Sequence, residues 1–325
     1  MPETLLLTRA EVARLLEPDA LRTALHEAFI AYSLRRSVAA QRFVVPLPAA
    51  APAGANGMLL APGLIDGIPA YSIKVHAKFP AQKPAITGVL ALHDLQTGHL
   101  LALMESSHLT AMRTGVAGAL GTDALARPDA GIVAIVGAGA QGELQLRALA
   151  GVRRLERAVV HDTYHAAAVA FCAKLGPELD LPMRAEPELR RAVQAADIVI
   201  AATWSTTPFI DAAMLRPGTH VTTLGPDQPG KAELAADAIQ AGLFVCDDPA
   251  LALSMGALGG VGLGPEAIHA ELGQVLAGTR PGRTEASQIT IFGSVGLAFQ
   301  DLAAGWLVYQ RARAEGLERT INFLT

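Results

Sequence analysis

The chain has 325 residues, enough for one or two domains with a large buried core. Its net charge of -4, from 26 basic and 30 acidic residues with no Lys/Arg block, argues against nucleic acid as the main partner. It is 51% hydrophobic, yet its longest uncharged run, 43–65, is broken by Pro46, Pro48, Pro52 and Pro62, which excludes a membrane helix there.

The N-terminus shows no basic-then-apolar leader, and Cys172 and Cys246 stand in apolar settings, so a cytoplasmic protein with buried thiols is expected. Residues 8–37 read as helical. Thr8 with Glu11 makes a capping-box signature, and Pro18 can start a second helix that lines up Leu21, Leu25, Phe29 and Tyr32. From 42 to 105 the period becomes two. Strands are expected at 42–47, 58–61, 70–79, 86–93 and 99–104, with turns at Asp66-Gly67 and Gln96-Thr97-Gly98. Neighbouring strands of this kind imply a largely antiparallel sheet. A helix follows over 106–125.

At 131–142 an apolar, β-branched strand breaks through Gly137, Gly139 and Gly142 into a helical pattern. Gly137 suits the tight turn, Gly139 the approach of a pyrophosphate, and Gly142 close helix–strand packing. A second strand, 158–161, ends on Asp162, at about the spacing of a ribose-binding acid. Further strands are expected at 183–185, 198–202, 220–224, 243–246 and 289–292. Helices are expected at 141–149, 164–175, 187–195, 211–215, 232–240 and 265–277. The alternation implies a doubly wound parallel sheet of the Rossmann type, with ligands at the carboxyl ends of its strands. The last helix, 294–315, returns to the first domain. The expected fold is α/β: a Rossmann dinucleotide-binding domain over 119–293, and a discontinuous α+β domain made of 1–118 and 294–325.

Three groups of residues carry candidate chemistry. Asp162 can accept both ribose hydroxyls and repel a 2′-phosphate, favouring NAD over NADP, or it can simply cap the next helix. Asp227 and Lys231 lie in a Gly/Pro-rich loop after the strand 220–224. The carboxylate there can move protons at a substrate nitrogen while hydride moves on carbon, or it can make an Asx turn. Arg42, Lys74, Lys78 and Arg113 are cations in apolar contexts, suited to a substrate carboxylate; for Lys78 a solvent-facing edge position is an equal reading. His76, His93 and His108 read as surface or hydrogen-bonded core residues, and no metal site is expected.

With these residues in hand, the sequence resembles the ornithine cyclodeaminase/mu-crystallin family. The resemblance is carried by Met58-Leu-Leu-Ala-Pro62, Lys74 in Ser-Ile-Lys-Val, and the stretches 88–98, 109–115, 137–141, 225–234 and 291–301. It implies a homodimer in which the discontinuous domain binds substrate and dimerises. It assigns the substrate carboxylate to Arg42, Lys74 and Arg113, proton transfer to Asp227, and a substrate contact to Val295. Lys74 is also given a catalytic, polarising role. The nucleotide would be lined by Thr114, Gly137, Gly139, Ala140, Gln141, Asp162, Thr203, Leu224, Gly225, Lys231 and Ser294. The activity implied is NAD-dependent chemistry at the α-carbon–nitrogen bond of a small L-amino acid or its imine, of the ornithine cyclodeaminase kind, with a cyclic ketimine reductase or an alanine dehydrogenase as the alternative. A non-catalytic binding protein is the remaining reading, and the presence of Asp227 opposes it. Two departures stand out: Leu59 occupies the position where ornithine cyclodeaminases carry a glutamate, and Gly293 one where a larger polar residue is common.

Overall fold

The computed structural model describes residues 3–34, 42–48, 51, 57–79, 81–82 and 85–323. In chain order the elements are β1 (Thr4–Leu7), α1 (Arg9–Leu15), α2 (Pro18–Ser33), β2 (Phe43–Val45), β3 (Met58–Gly63), β4 (Ala70–Lys78), β5 (Ile86–Asp94), β6 (Leu100–Glu105) and α3 (Ser106–Leu125). Then come β7 (Ile132–Val136), α4 (Ala140–Val152), β8 (Arg157–His161), α5 (His165–Leu179), β9 (Met183–Ala185), α6 (Leu189–Gln194), β10 (Ile198–Ala201) and β11 (His220–Thr223). The chain closes with α7 (Ala236–Gln240), β12 (Gly242–Cys246), α8 (Pro249–Ser254), β13 (Ile268–Glu271), α9 (Leu272–Leu276), β14 (Ile289–Gly293), α10 (Ala298–Ala314) and β15 (Thr320–Ile321). The expected extension of α2 over 35–37 lies outside the described residues. No helix among the described residues is long and apolar enough to cross a membrane.

Two compact units emerge, Met1–Arg113 with Leu297–Thr325, and Thr114–Gly296. The expected breaks at 118/119 and 293/294 therefore move to 113/114 and 296/297. The first new break falls inside α3, and a continuous helix offers no composition change for a sequence reading to find.

The first unit holds a seven-stranded sheet in the order β15-β1-β6-β5-β4-β3-β2. It is antiparallel except where β1 runs parallel to β6. The capping box at Thr8 forms: its N–H donates to Glu11 Oε2 at 2.8 Å. Leu21, Leu25, Phe29 and Tyr32 are all buried, and the Phe29 and Tyr32 rings lie 5.3 and 4.8 Å from that of Phe299 in α10. α10 covers the inner face of the sheet so closely that a Cβ on Gly305 would lie 2.4 Å from Leu90. That face carries Leu59, Ala61, Leu90, Leu92, Ala102 and Met104, together with a polar row on β4.

The second unit is an eight-stranded, all-parallel sheet in the order β13-β12-β14-β11-β10-β7-β8-β9. Alternate residues feed two cores, one with Ala134, Val136, Val199 and Val221, the other with Val133, Ile135, Val160 and Ile200. The connection reverses direction between β7 and β10, the switch point at which such sheets hold ligands. Two expected helices are corrected. The stretch 265–277 is a short 3-10 turn, then β13, then α9, because pairing of Ile268–Glu271 with the edge strand β12 overrides the helical period. The stretch 211–215 forms only a 3-10 turn at Ala212–Met214. β1, β15 and α8 had no expectation.

Candidate active site

The glycine loop belongs to the second unit. Gly137 has φ +103°, a left-handed conformation suited to glycine, and a Cβ there would lie 2.6 Å from the Ala202 carbonyl oxygen. A Cβ on Gly142 would lie 2.2 Å from the Gly137 carbonyl oxygen. Gly139, the N-cap of α4, differs, since no atom lies within 4 Å of a Cβ built on it. Packing does not demand glycine at 139. The bare backbone leaves open space at the N-terminus of a 13-residue helix, where N–H groups and dipole favour an anion. Beside it Ala140 is exposed, and Gln141 has a buried Oε1 without a hydrogen-bond partner. Thr114 offers its carbonyl to Gln145 Nε2 of α4 at 2.8 Å.

Asp162 ends up between the two readings made of it. Its Oδ2 accepts from Ala138 N and its Oδ1 from Tyr164 N, both at 2.8 Å. One oxygen ties the glycine loop to the end of β8, and the other makes an Asx turn into α5. The carboxylate is thereby held beside the loop.

Asp227 follows β11 in a tight turn, its N–H bonded to the Gly225 carbonyl at 2.7 Å. Its Oδ1 accepts from Lys231 Nζ at 2.8 Å, and that buried ammonium lies 4.4 Å from the centre of the Trp204 ring. The residue that holds this loop is Glu233, which sequence reasoning passed over. Fully buried, its Oε1 accepts from Thr203 N at 2.6 Å and Thr203 Oγ1 at 2.8 Å. Its Oε2 accepts from Thr223 Oγ1 at 2.7 Å, Leu224 N at 3.2 Å and Gly225 N at 3.0 Å. One carboxylate thus joins the segments leaving β10 and β11. An acid between Ala232 and Leu234 in an apolar run was the available signal, because a buried charge needs such donors. Glu233→Gln turns an amide N–H₂ towards groups that are themselves donors. It is expected to cost about 1.5–3 kcal/mol of stability and to weaken nucleotide binding; unchanged thermal unfolding and nucleotide affinity would contradict this role.

Ser294 and Val295 are placed by a second unforeseen acid. Asp247, at the end of β12, accepts at Oδ2 from Ser294 Oγ at 3.1 Å and from Val295 N and Gly296 N, each at 2.7 Å. Burial raises its carboxyl to about 6 against the pull of these donors. The absence of a side chain at Gly293 also finds its reason, since a Cβ there would lie 2.5 Å from the Phe244 ring.

In the first unit the expected cations gather around an acid that was quoted only as part of a motif. Asp301, in the first turn of α10, accepts at Oδ2 from Lys74 Nζ at 2.6 Å and at Oδ1 from Arg113 Nε at 3.0 Å. Lys74 also reaches Thr110 Oγ1 at 3.3 Å, and Arg113 Nη1 reaches Gln300 Oε1 at 2.7 Å. All three charged groups are buried. Burial pushes the Asp301 carboxyl up, but the charges of Arg113 and Lys74 overcome it and hold it below its ordinary value. Burial lowers the Lys74 ammonium to about 8, against the pull of Asp301. Arg42, half-buried just before β2, is close enough for its charge to act on Lys74 and His76. The solvent-facing reading of Lys78 is overturned, because it shares the buried face of β4. His76 is buried on that face as well, and burial lowers it to about 3.

These features define a protein of the Rossmann class: a doubly wound unit with an open glycine loop, and an α+β unit with a buried cation cluster. The chain belongs to the ornithine cyclodeaminase/mu-crystallin family, whose model matches residues 2–316. It is similar to the Δ1-pyrroline-2-carboxylate reductase of Bacillus cereus, 32% identical over 305 residues that cover 89% of this chain and 92% of the relative. Among solved structures, an archaeal alanine dehydrogenase dimer with bound NAD matches with a TM-score of 0.92 at 29% identity, over 99% of each chain. The Thermococcus litoralis Δ1-pyrroline-2-carboxylate reductase, in complex with NADH and L-proline, matches with a TM-score of 0.89 at 29% identity. That match covers 98% of this chain and 100% of the other.

Proposed function

We propose that this chain is an NAD-dependent enzyme acting at the α-carbon–nitrogen bond of a small L-amino acid or its imine. The observation that carries the reading is the sharing of one carboxylate, Asp301, by two buried cations, Lys74 and Arg113. The pair leaves one positive charge over in a dry setting, and a substrate carboxylate neutralises it. Arg42 supports the same anion, and Val295 contacts the substrate.

The second unit's residues fit a dinucleotide. Gly137, Gly139, Ala140 and Gln141 would take its pyrophosphate at the open N-terminus of α4, and Asp162 its ribose hydroxyls. Thr114, Thr203, Leu224, Gly225, Lys231 and Ser294 would line the remainder. When bound, the nicotinamide supplies or takes up the hydride. A carboxylate at 162 repels a 2′-phosphate, so NAD is preferred to NADP. Asp227, steadied by Lys231, gives and takes the proton at the substrate nitrogen. Lys74 polarises the reacting centre.

The reductive direction is favoured over ornithine cyclodeamination. Leu59, buried on the inner face of the sheet, offers nothing to a cationic side-chain amine. The test is a panel of pyruvate with ammonia, Δ1-pyrroline-2-carboxylate and L-ornithine, each with NAD(H) and NADP(H). It is followed by absorbance and by ammonia release. Consumption of NADH with an imine is the expected result. Ammonia release from ornithine without net absorbance change would shift the reading to cyclodeamination. Ligand binding without any turnover would leave a binding protein.

The chain also works as a homodimer in this reading. Among the described residues the outer face of the first unit's sheet is apolar and exposed, with Phe43, Val45, Ile73 and Val89 between 37% and 55% exposed. An antiparallel sheet that faces water on one side normally turns polar residues to it. A doubled Ile73→Glu, Val89→Glu variant is expected to sediment as a monomer where the parent sediments as a dimer. A parent that sediments as a monomer would refute the assignment.

A further inference from the structure

Trp204 follows β10 and is 56% exposed, while the Lys231 ammonium, 4.4 Å from the centre of its ring, belongs to a side chain in a residue only 5% exposed. A single large apolar side chain at a surface needs no explanation of its own. This one has three features that such a side chain does not require. The backbone is fixed on both sides of it. Thr203 N donates to Glu233 Oε1 at 2.6 Å, and the Ser205 carbonyl accepts from Ala232 N at 3.2 Å, so the indole is tied to the residues that follow Lys231. Lys231 is fixed as well. A Cβ on Gly260 would lie 2.2 Å from its carbonyl oxygen, and Gly230, just before it, holds a left-handed conformation at φ +81°. Finally, the ammonium under the ring is the one that donates from Nζ to Asp227 Oδ1 at 2.8 Å.

A lysine is a point charge on a flexible four-carbon stem, and its three N–H donors rotate. One hydrogen bond to a carboxylate does not fix such a group, and an ion pair open to water holds weakly. An indole changes both conditions. Its negative face attracts the ammonium, and its area displaces water, which strengthens the charge pair beside it. The carboxylate is then held in one direction, which proton transfer needs, since the acid must stand within hydrogen-bond reach of the substrate nitrogen.

We propose that Trp204 is a positioning residue for the proton transfer: its indole clamps the Lys231 ammonium against Asp227 Oδ1, and through that ammonium it orients the carboxylate. The proposal rests on the proposed function, which gives the proton to Asp227, and adds to it a residue that acts through Lys231.

The test measures kcat at saturating NADH with whichever the parent turns over faster, pyruvate with ammonia or Δ1-pyrroline-2-carboxylate. Parent, Trp204→Phe and Trp204→Leu proteins are compared at low and high KCl, each also combined with Asp227→Asn, and thermal unfolding checks that each is folded. Leu keeps an apolar cover without a π face, and Phe keeps both. Trp204→Leu is expected to lower kcat about three- to thirtyfold, the rate equivalent of one cation–π contact. The loss deepens with KCl, because the charge pair is then open to screening. Trp204→Phe recovers most of the rate, and with Asp227→Asn in place Trp204→Leu has no further effect. A folded Trp204→Leu protein with the parental kcat, equal rates for the Phe and Leu variants, or the same loss with and without Asp227→Asn each overturns the proposal and leaves the proposed function standing. Should Trp204→Leu not fold, ring-fluorinated tryptophan is incorporated into a Trp306→Phe protein, where position 204 holds the one remaining tryptophan. Fluorine weakens the negative face of the ring with little change in size, so kcat falls with each fluorine added, and a constant kcat overturns the proposal. No turnover by the parent with any imine or amino acid overturns both.

Discussion

Asp227→Asn is expected to lower kcat by roughly a hundredfold to ten-thousandfold while nucleotide affinity stays near the parental value. Asn has the shape of Asp and can keep the contact that Asp227 Oδ1 makes with Lys231 Nζ at 2.8 Å. The prolyl turn and its anchor on Glu233 are untouched by the change. What the amide loses is the ability to take and return a proton, so the effect falls on the chemical step. Trp204 offers the binding readout, because the ammonium over its ring is the partner of Asp227. Fluorescence titration with nucleotide should therefore separate binding from turnover. A variant whose kcat stays within threefold of the parent would remove Asp227 from the reaction.

Asp301→Ala carries the second large effect, this time on the fold as well as the site. It strands two buried cations at once, and breaking a buried ion pair costs about 3–5 kcal/mol. The two cations respond differently. Lys74, already lowered to about 8 by burial, can shed its proton once Asp301 no longer opposes that shift. The Arg113 guanidinium cannot, and so sets the cost. Denaturant unfolding should show the loss, and substrate KM should rise because Lys74 and Arg113 are no longer aligned. Added formate or acetate should raise the midpoint of the variant more than that of the parent, by restoring an anion to the gap. Destabilisation below about 1 kcal/mol with unchanged KM would mean that Asp301 does not organise the cluster.

Much of this molecule is legible in its sequence. The glycine loop is legible with its three distinct glycines, of which Gly139 has open space beside it. β7 and β9 fall at the expected residues, and the capping box at Thr8 forms as expected. These succeed because they depend on periods of two and of 3.6 and on local backbone chemistry, all contained within a few neighbouring residues. Lys74 and Arg113 were legible as anomalies, charges in apolar contexts, although nothing local said what answered them.

The misses have a common cause. The stretch 265–277 has a helical period, yet part of it pairs as a strand with β12, and β14 inserts between β11 and β12 although it is the last strand of that sheet in sequence. His76 and Lys78 alternate along β4 like surface residues, and only the side covered by α10 shows that they face inward.

The sequence by itself determined the Rossmann pattern, because that is written in local spacing, and the family, because its motifs stand in the chain. Tertiary structure alone decided the partners. Asp301 answers Lys74 from 227 residues away and Arg113 from 188 residues away, and Glu233 joins two strand ends. The physical reason is that a charge must be compensated where it is buried, and which side chains meet there depends on how distant elements pack.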